Sequence, residues 1–221
     1  MVRPHLLDLC ATEQPWRKVP MPGANLGLEL VRLEADRDGF TILGRFPAGF
    51  ARVAAGGYEV AEEFLVLDGE LELEGTVVRR GDLCAVAAGV VRAPMRSPLG
   101  CRVLAWFAGP AVFLPAEELG GSAGGPPRSA RATPDAGEGF EEAAFRVAHP
   151  RTAPAGTAVL RTGEATWQVV GGAAEVEPDG AVDVVDVDLT TWIRMDRGTQ
   201  PSLPPGPLLV RRPRAAGVPR P

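Results

Sequence analysis

Short apolar runs broken by turn residues fill the chain from about Leu26 to Pro115. The breaks fall at Asp36 to Gly39, Pro47 to Gly49, Asp68-Gly69, Glu74-Gly75, Gly81-Asp82, Ala88-Gly89 and Pro98 to Gly100. Runs of this length between turn signals predict an antiparallel sandwich or barrel. Glu70 to Glu74 alternates acid and leucine strictly, which predicts a strand with one face in water. Phe64 to Leu67 does not alternate. An unbroken apolar run in an antiparallel sheet is buried on both faces, so either the C-terminal half or a second subunit must cover the outside of that strand.

From residue 118 to 142 the composition shifts to Gly, Ser, Pro, Ala and Arg with no period, which predicts a linker or long loop. Strand-like runs resume in a second β unit over 143–210, at Thr157 to Leu160, Thr166 to Val170, Ala181 to Leu189 and Leu208 to Val210. Val182, Val184 and Val185 are interleaved with Asp183, Asp186 and Asp188, which suits an edge or half-exposed strand. Only Pro115 to Leu119 and Gly139 to Phe145 look helical, each for one or two turns. Residues 1–25 read as an N-terminal strand or arm, and 211–221 as a basic, proline-rich tail.

The chain has 221 residues, 45% hydrophobic and 23% charged. That length allows one large domain or two small ones, and such a composition excludes a wholly disordered or fibrous chain. No window approaches an uninterrupted membrane span, so no membrane association is expected and a cytoplasmic location is read. Cys10, Cys84 and Cys101 are too dispersed for a disulfide framework and lack the C-x-x-C spacing of a zinc site. A net charge of -5 gives no pull toward nucleic acid, although Arg211, Arg212, Arg214 and Arg220 gather in the solvated tail. Lysine occurs once, at Lys18; the excess of arginine, alanine, glycine and proline suggests a GC-rich bacterial genome.

The central segment resembles the cupin family, whose small β-barrels carry two motifs, G-x5-H-x-H-x3-4-E-x6-G and G-x5-P-x-G-x2-H-x3-N. Arg45 to Gly49 resembles the strand before the first motif, and Glu62 followed seven residues later by Gly69 fits its second half. Gly81 to Arg92 follows the second. The resemblance covers about ninety residues. It implies an all-β, cupin-like jelly-roll barrel over 26–117. The rest is either a degenerate second cupin, giving a bicupin, or added strands packed on the outer face of Phe64 to Leu67. Dimerisation through that face is a common cupin trait, so a homodimer is expected.

The resemblance also implies a metal centre of three histidines and a carboxylate, which this chain departs from. Counting back from Glu62 puts Gly56 and Tyr58, or Ala55 and Gly57 with a longer spacer, at the first two histidine positions. Arg92 stands at the third, and Arg96 where the second motif has asparagine. His5 and His149 lie outside both motifs. One carboxylate does not hold a transition metal against water, and a guanidinium repels one, so no metal and no cofactor is expected. The counter-reading brings His149 or Cys84 into the barrel from outside the motif positions.

Glu62 and Arg92, of opposite sign at former ligand positions, are expected to pair inside the barrel. Otherwise Arg92 is solvated at the mouth and Glu62 bonds to backbone amides. Tyr58, Arg96 and Trp106 are further ligand-binding candidates, each with a bland reading as packing or rim; Glu63 alternates away from Glu62 and is read as outward facing. The leading functional reading is a binder of a small organic molecule, anionic ligands included. The alternative is a metal-independent isomerase, lyase or cyclase with Glu62 as acid or base and Arg92 stabilising negative charge. Pairing with Arg92 would weaken Glu62 as a base. A filled structural barrel and a metal-dependent enzyme complete the set.

Overall fold

A computed structural model describes residues 6–35, 39–119, 128–129, 145–176, 180–196 and 202–214. Most of the 118–142 segment, the helical turn read at Gly139 to Phe145 up to residue 144, His5 and the tail beyond Arg214 lie outside the described residues. Two units emerge: residues 14–147, and Met1–Glu13 together with Ala148–Pro221. The expected N-terminal arm is thus divided between them. Among the described residues there is no α-helix, and none long and apolar enough to cross a membrane. Pro115 to Leu119 forms a hydrogen-bonded turn rather than a helix.

In chain order, β1 (Leu7–Asp8) precedes β2 (Arg17–Val19), β3 (Leu28–Ala35), β4 (Phe40–Phe46), β5 (Phe50–Arg52), β6 (Gly56–Tyr58) and β7 (Glu62–Leu73). Then follow β8 (Thr76–Arg79), β9 (Leu83–Val86), β10 (Val90–Val91), β11 (Met95–Ser97), β12 (Cys101–Phe107), β13 (Phe113–Pro115), β14 (Arg128–Ser129) and β15 (Phe145–Ala148). The barrel's main wall runs β15-β9-β7-β12-β4-β3-β2, while β11 joins β7 to β5 and β13 pairs with β6. Long β7 serves two walls: its first half pairs with β9 and β12, its second with β8 and β11.

Asp68-Gly69, read from the sequence as a turn, is a bend inside β7. The β7–β12 register shifts between Arg102 and Val103, and Gly69 takes a φ of 71°. A β-bulge of this kind re-aims a strand without ending it, and the positive φ suits glycine. Glu74-Gly75 is a true hairpin turn into β8, with both residues at positive φ.

Alternation sorts the side chains. Phe64 and Val66 of β7, Cys84 and Val86 of β9, and Val103, Ala105 and Phe107 of β12 belong to one apolar core. Leu65, Leu67, Leu104 and Trp106 point the other way and are also buried. Phe64 to Leu67 is therefore buried on both faces, as its pattern requires. Glu63, read as outward facing, does turn away from Glu62 but is buried on that second face.

The second unit adds β16 (Ala158–Arg161), β17 (Ala165–Val170), β18 (Val182–Asp186), β19 (Thr191–Met195) and β20 (Leu208–Pro213). Its sheet runs β1-β19-β18-β20-β17-β16, and every pairing is antiparallel. The aspartate-rich segment is thus a central strand rather than an edge. Asp183 lies directly opposite Arg194 on one neighbour and Arg211 on the other, and both guanidiniums pair with its carboxylate. Asp186 accepts hydrogen bonds from the Thr190 and Thr191 amides. Such partners are what let a carboxylate sit inside a sheet. Arg211 and Arg212, read as part of the tail, are strand residues of β20.

Candidate functional site

One row of cross-strand partners closes an end of the barrel wall. Phe40 begins β4, Phe107 ends β12, Glu62 begins β7 and Val86 ends β9; they lie side by side in register. Val86 and Phe107 belong to the interior core, so Glu62, on the same face, also points inward. Arg92 follows β10, its amide donating to the Gly56 carbonyl at 2.8 Å, and is 3% exposed. Its Nη1 pairs with Glu62 Oε2. The Glu62 side chain is 13% exposed, so the carboxylate is the end of the pair nearer water.

Tyr58, on β6, lies beside this pair. The Arg92 guanidinium sits over its ring at 4.7 Å from the centroid, a cation–π arrangement. Tyr58 in turn meets Phe107 and Phe113 edge-on, with centroids 5.6 and 5.9 Å away, and Phe107 stacks on Phe40 at 4.8 Å. Glu62, Arg92 and Tyr58, named from the sequence, are therefore together. Arg96 and Trp106 are not. Arg96 is exposed on β11, and Trp106 lies on the opposite face of β12 from Phe107, across from Glu63.

A second buried guanidinium was missed by the sequence reading. Arg52, 0% exposed, ends β5 directly opposite core Met95 and two residues from core Phe50, so it points into the barrel. Its Nη2 donates to the Arg92 carbonyl at 3.3 Å, and its guanidinium lies 4.3 Å from the Phe113 centroid. The signal existed in Phe50-Ala51-Arg52: with Phe50 inward, strand alternation turns Arg52 inward too. Attention to the family's ligand positions alone passed it over.

Charge and donors are out of balance here. Nε and Nη2 of Arg92 and Nε and Nη1 of Arg52 are buried without a hydrogen-bond partner among the described residues. No carboxylate among those residues pairs with Arg52. Burial lowers the Arg92 pKa to about 9, an effect Tyr58 opposes and Arg52 reinforces. Burial likewise lowers that of Arg52, against the influence of Tyr58. Arginine stays cationic at neutral pH, and of the two guanidiniums Arg92 alone pairs with the Glu62 carboxylate.

These residues do not fit a cupin metal. Glycines occupy candidate histidine positions, and a Cβ at Gly56 would run into the Phe113 ring and the Leu114 carbonyl. At Gly57 it would strike the Val90 carbonyl. Glu62 is engaged by Arg92, which stands where a third imidazole would be. His149 precedes a 3-10 turn (Pro150–Thr152) in the second unit. Cys84 is buried in the core, and burial raises its pKa, disfavouring the thiolate that binds metal. No cluster of three or more His, Cys, Asp or Glu side chains forms among the described residues.

No protein-family model and no curated protein matches the sequence. Solved structures do. A provisionally named dioxygenase of Nostoc punctiforme aligns over 93% of this chain and 81% of its own, at 16% identity and a TM-score of 0.55. An RmlC-like cupin protein of Ralstonia eutropha covers 47% of this chain and 68% of its own, at 14% identity and a TM-score of 0.37. A protein with a double-stranded β-helix domain from Klebsiella pneumoniae covers 40% and 80%, at 20% identity and a TM-score of 0.33. The chain has the all-β cupin fold. At such identities the likeness extends to the fold and leaves the chemistry to the site itself.

Proposed function

We propose that this cupin barrel binds a small organic anion at Arg92 without a metal. The supporting observation is a guanidinium, 3% exposed, that engages Glu62 through one nitrogen and has two others without a partner among the described residues. Buried donors of a cation carry a desolvation cost that an anionic acceptor relieves. Glu62 holds Arg92 in place and supplies the partial neutralisation that lets it stay buried. Tyr58 stacks its ring on the guanidinium and bounds the site with an amphipathic side.

Calorimetric titration with sodium benzoate tests the reading. Arg92→Met is expected to weaken binding at least about tenfold, the loss of a charge-assisted hydrogen bond to a carboxylate. Equal affinity in wild type and variant would overturn it. The partial exposure of Glu62 favours a second reading, a metal-independent enzyme in which that carboxylate moves a proton while Arg92 stabilises developing negative charge. Glu62→Gln would then abolish turnover while benzoate binding survives.

A further inference from the structure

We infer that the ligand is a monoanion, a carboxylate on a flat apolar body, held between Arg92 and Arg52. This rests on the anion-binding reading and adds the second guanidinium and the chemistry of the ligand's two ends.

The charge follows from the residues present. Arg92 pairs with Glu62, and the buried Arg52, bonded to the Arg92 carbonyl, pairs with no carboxylate among the described residues, so one positive charge is left uncompensated and a single further negative charge neutralises it. A dianion such as phosphate would leave an excess of negative charge in the same volume. The head group follows from donor geometry. Arg52 and Arg92 are 0% and 3% exposed; Tyr58 lies against the Arg52 guanidinium, and Nε and Nη1 of Arg52 and Nε and Nη2 of Arg92 have no hydrogen-bond partner among the described residues. On Arg92 these two nitrogens share a planar edge of the kind that meets a carboxylate with paired hydrogen bonds, while on Arg52, whose Nη2 is taken by the Arg92 carbonyl, they lie on separate edges and offer single hydrogen bonds. A spherical ion such as chloride would satisfy fewer of these donors.

The body follows from the walls. The Phe40–Phe107 stack, the edge of Tyr58 and Phe113 bring aromatic surface beside the two cations. Phe40, Tyr58 and Phe113 are only half-buried, so this surface is within reach of solvent. A planar apolar group attached to the carboxylate would cover it.

The test uses the full chain and four probes: sodium benzoate, benzamide, sodium chloride and inorganic phosphate. Benzoate is expected to raise the melting temperature and bind in titration, whereas benzamide, of the same shape without the charge, binds at least about tenfold more weakly. Chloride and phosphate at the same concentration should neither stabilise comparably nor displace benzoate. Arg52→Met is expected to lower benzoate affinity about tenfold or more, with Arg52→Lys recovering part of it.

If Arg92→Met loses benzoate while Arg52→Met and Arg52→Lys keep wild-type affinity, the anion site stands and the paired clamp is overturned. If benzoate fails to bind wild type, both readings fall. Benzamide binding as well as benzoate overturns the charged head group, and chloride or phosphate displacing benzoate at equal concentration overturns the organic monoanion. Should Arg52→Met not fold, Arg52→Lys and the wild-type contrast between benzoate and benzamide still decide.

Discussion

Each unit of this protein sets a carboxylate among buried arginines, and the two clusters are finished to different degrees. Asp183 is 0% exposed and accepts from Arg194 through both oxygens at 3.1 and 3.2 Å, from Trp192 Nε1 at 3.2 Å, and pairs with Arg211 at 3.6 Å. Both arginines stand directly opposite it on the flanking strands. Glu62 pairs with Arg92 alone, and Arg52 has no acid among the described residues. Arg194 too keeps a buried Nε without a hydrogen-bond partner among the described residues, so the difference is one of degree: one such nitrogen around Asp183 against four on Arg92 and Arg52. The lesson is that burial by itself does not separate structure from function. A carboxylate surrounded by its donors holds a sheet together, whereas donors left without acceptors mark a place for a ligand.

The sharpest way to break this comparison is to remove the carboxylate that is fully engaged. Asp183→Ala strands two guanidiniums and an indole N–H, and should cost about 3–5 kcal/mol in urea unfolding. A loss below about 1 kcal/mol would mean that the cluster relaxes into water and is not the finished one. Arg92→Met should cost less, about 2 kcal/mol, because the Glu62 carboxylate left behind already reaches solvent. If Arg92→Met proves the costlier change, the Glu62 pair is the structural keystone and the functional reading weakens.

Thiol chemistry reads how tightly the barrel closes beneath the site. Cys84 lies opposite Phe64, one inward-facing position from Glu62, and burial raises its pKa; burial pushes Cys101 up to about 12. Cys10 is exposed. At pH 8 a disulfide reagent should label Cys10 at once and the other two only as the protein opens. Rapid labelling of Cys84 in the native state would show that the core under the ion pair is loose. Smallest of all, Arg96→Ala should change stability by no more than about 0.5 kcal/mol and leave benzoate affinity intact, since Arg96 is exposed away from the pair. A clear loss of binding would redraw the site.

The β architecture was legible because its turn residues are local signals: Glu74-Gly75 announces a hairpin whatever lies around it. Asp68-Gly69 carries the same kind of signal yet serves as a bulge, because the strand beyond it finds new partners in β8 and β11. The pairing with β11 is non-local and leaves no trace in the dipeptide. The β18 aspartates misled for a similar reason. Their burial depends on Arg194 and Arg211, distant in sequence, standing opposite Asp183.

At the site, Glu62, Arg92 and Tyr58 could be named from motif spacing. Trp106 could not be assigned to a face without knowing which side of β12 meets the core, and its neighbour Phe107 takes the inward position. Arg52 required reading β5 by alternation, and a three-residue strand offers little of it.

The most direct test follows the arginine Nε–Hε resonances during titration with benzoate, with Arg92 and Arg52 assigned through Arg92→Lys and Arg52→Lys. The account predicts that both resonances shift in a saturable manner, because both Nε atoms are buried without a hydrogen-bond partner among the described residues. If both stay fixed while only signals from exposed arginines move, the barrel is not an anion-binding site.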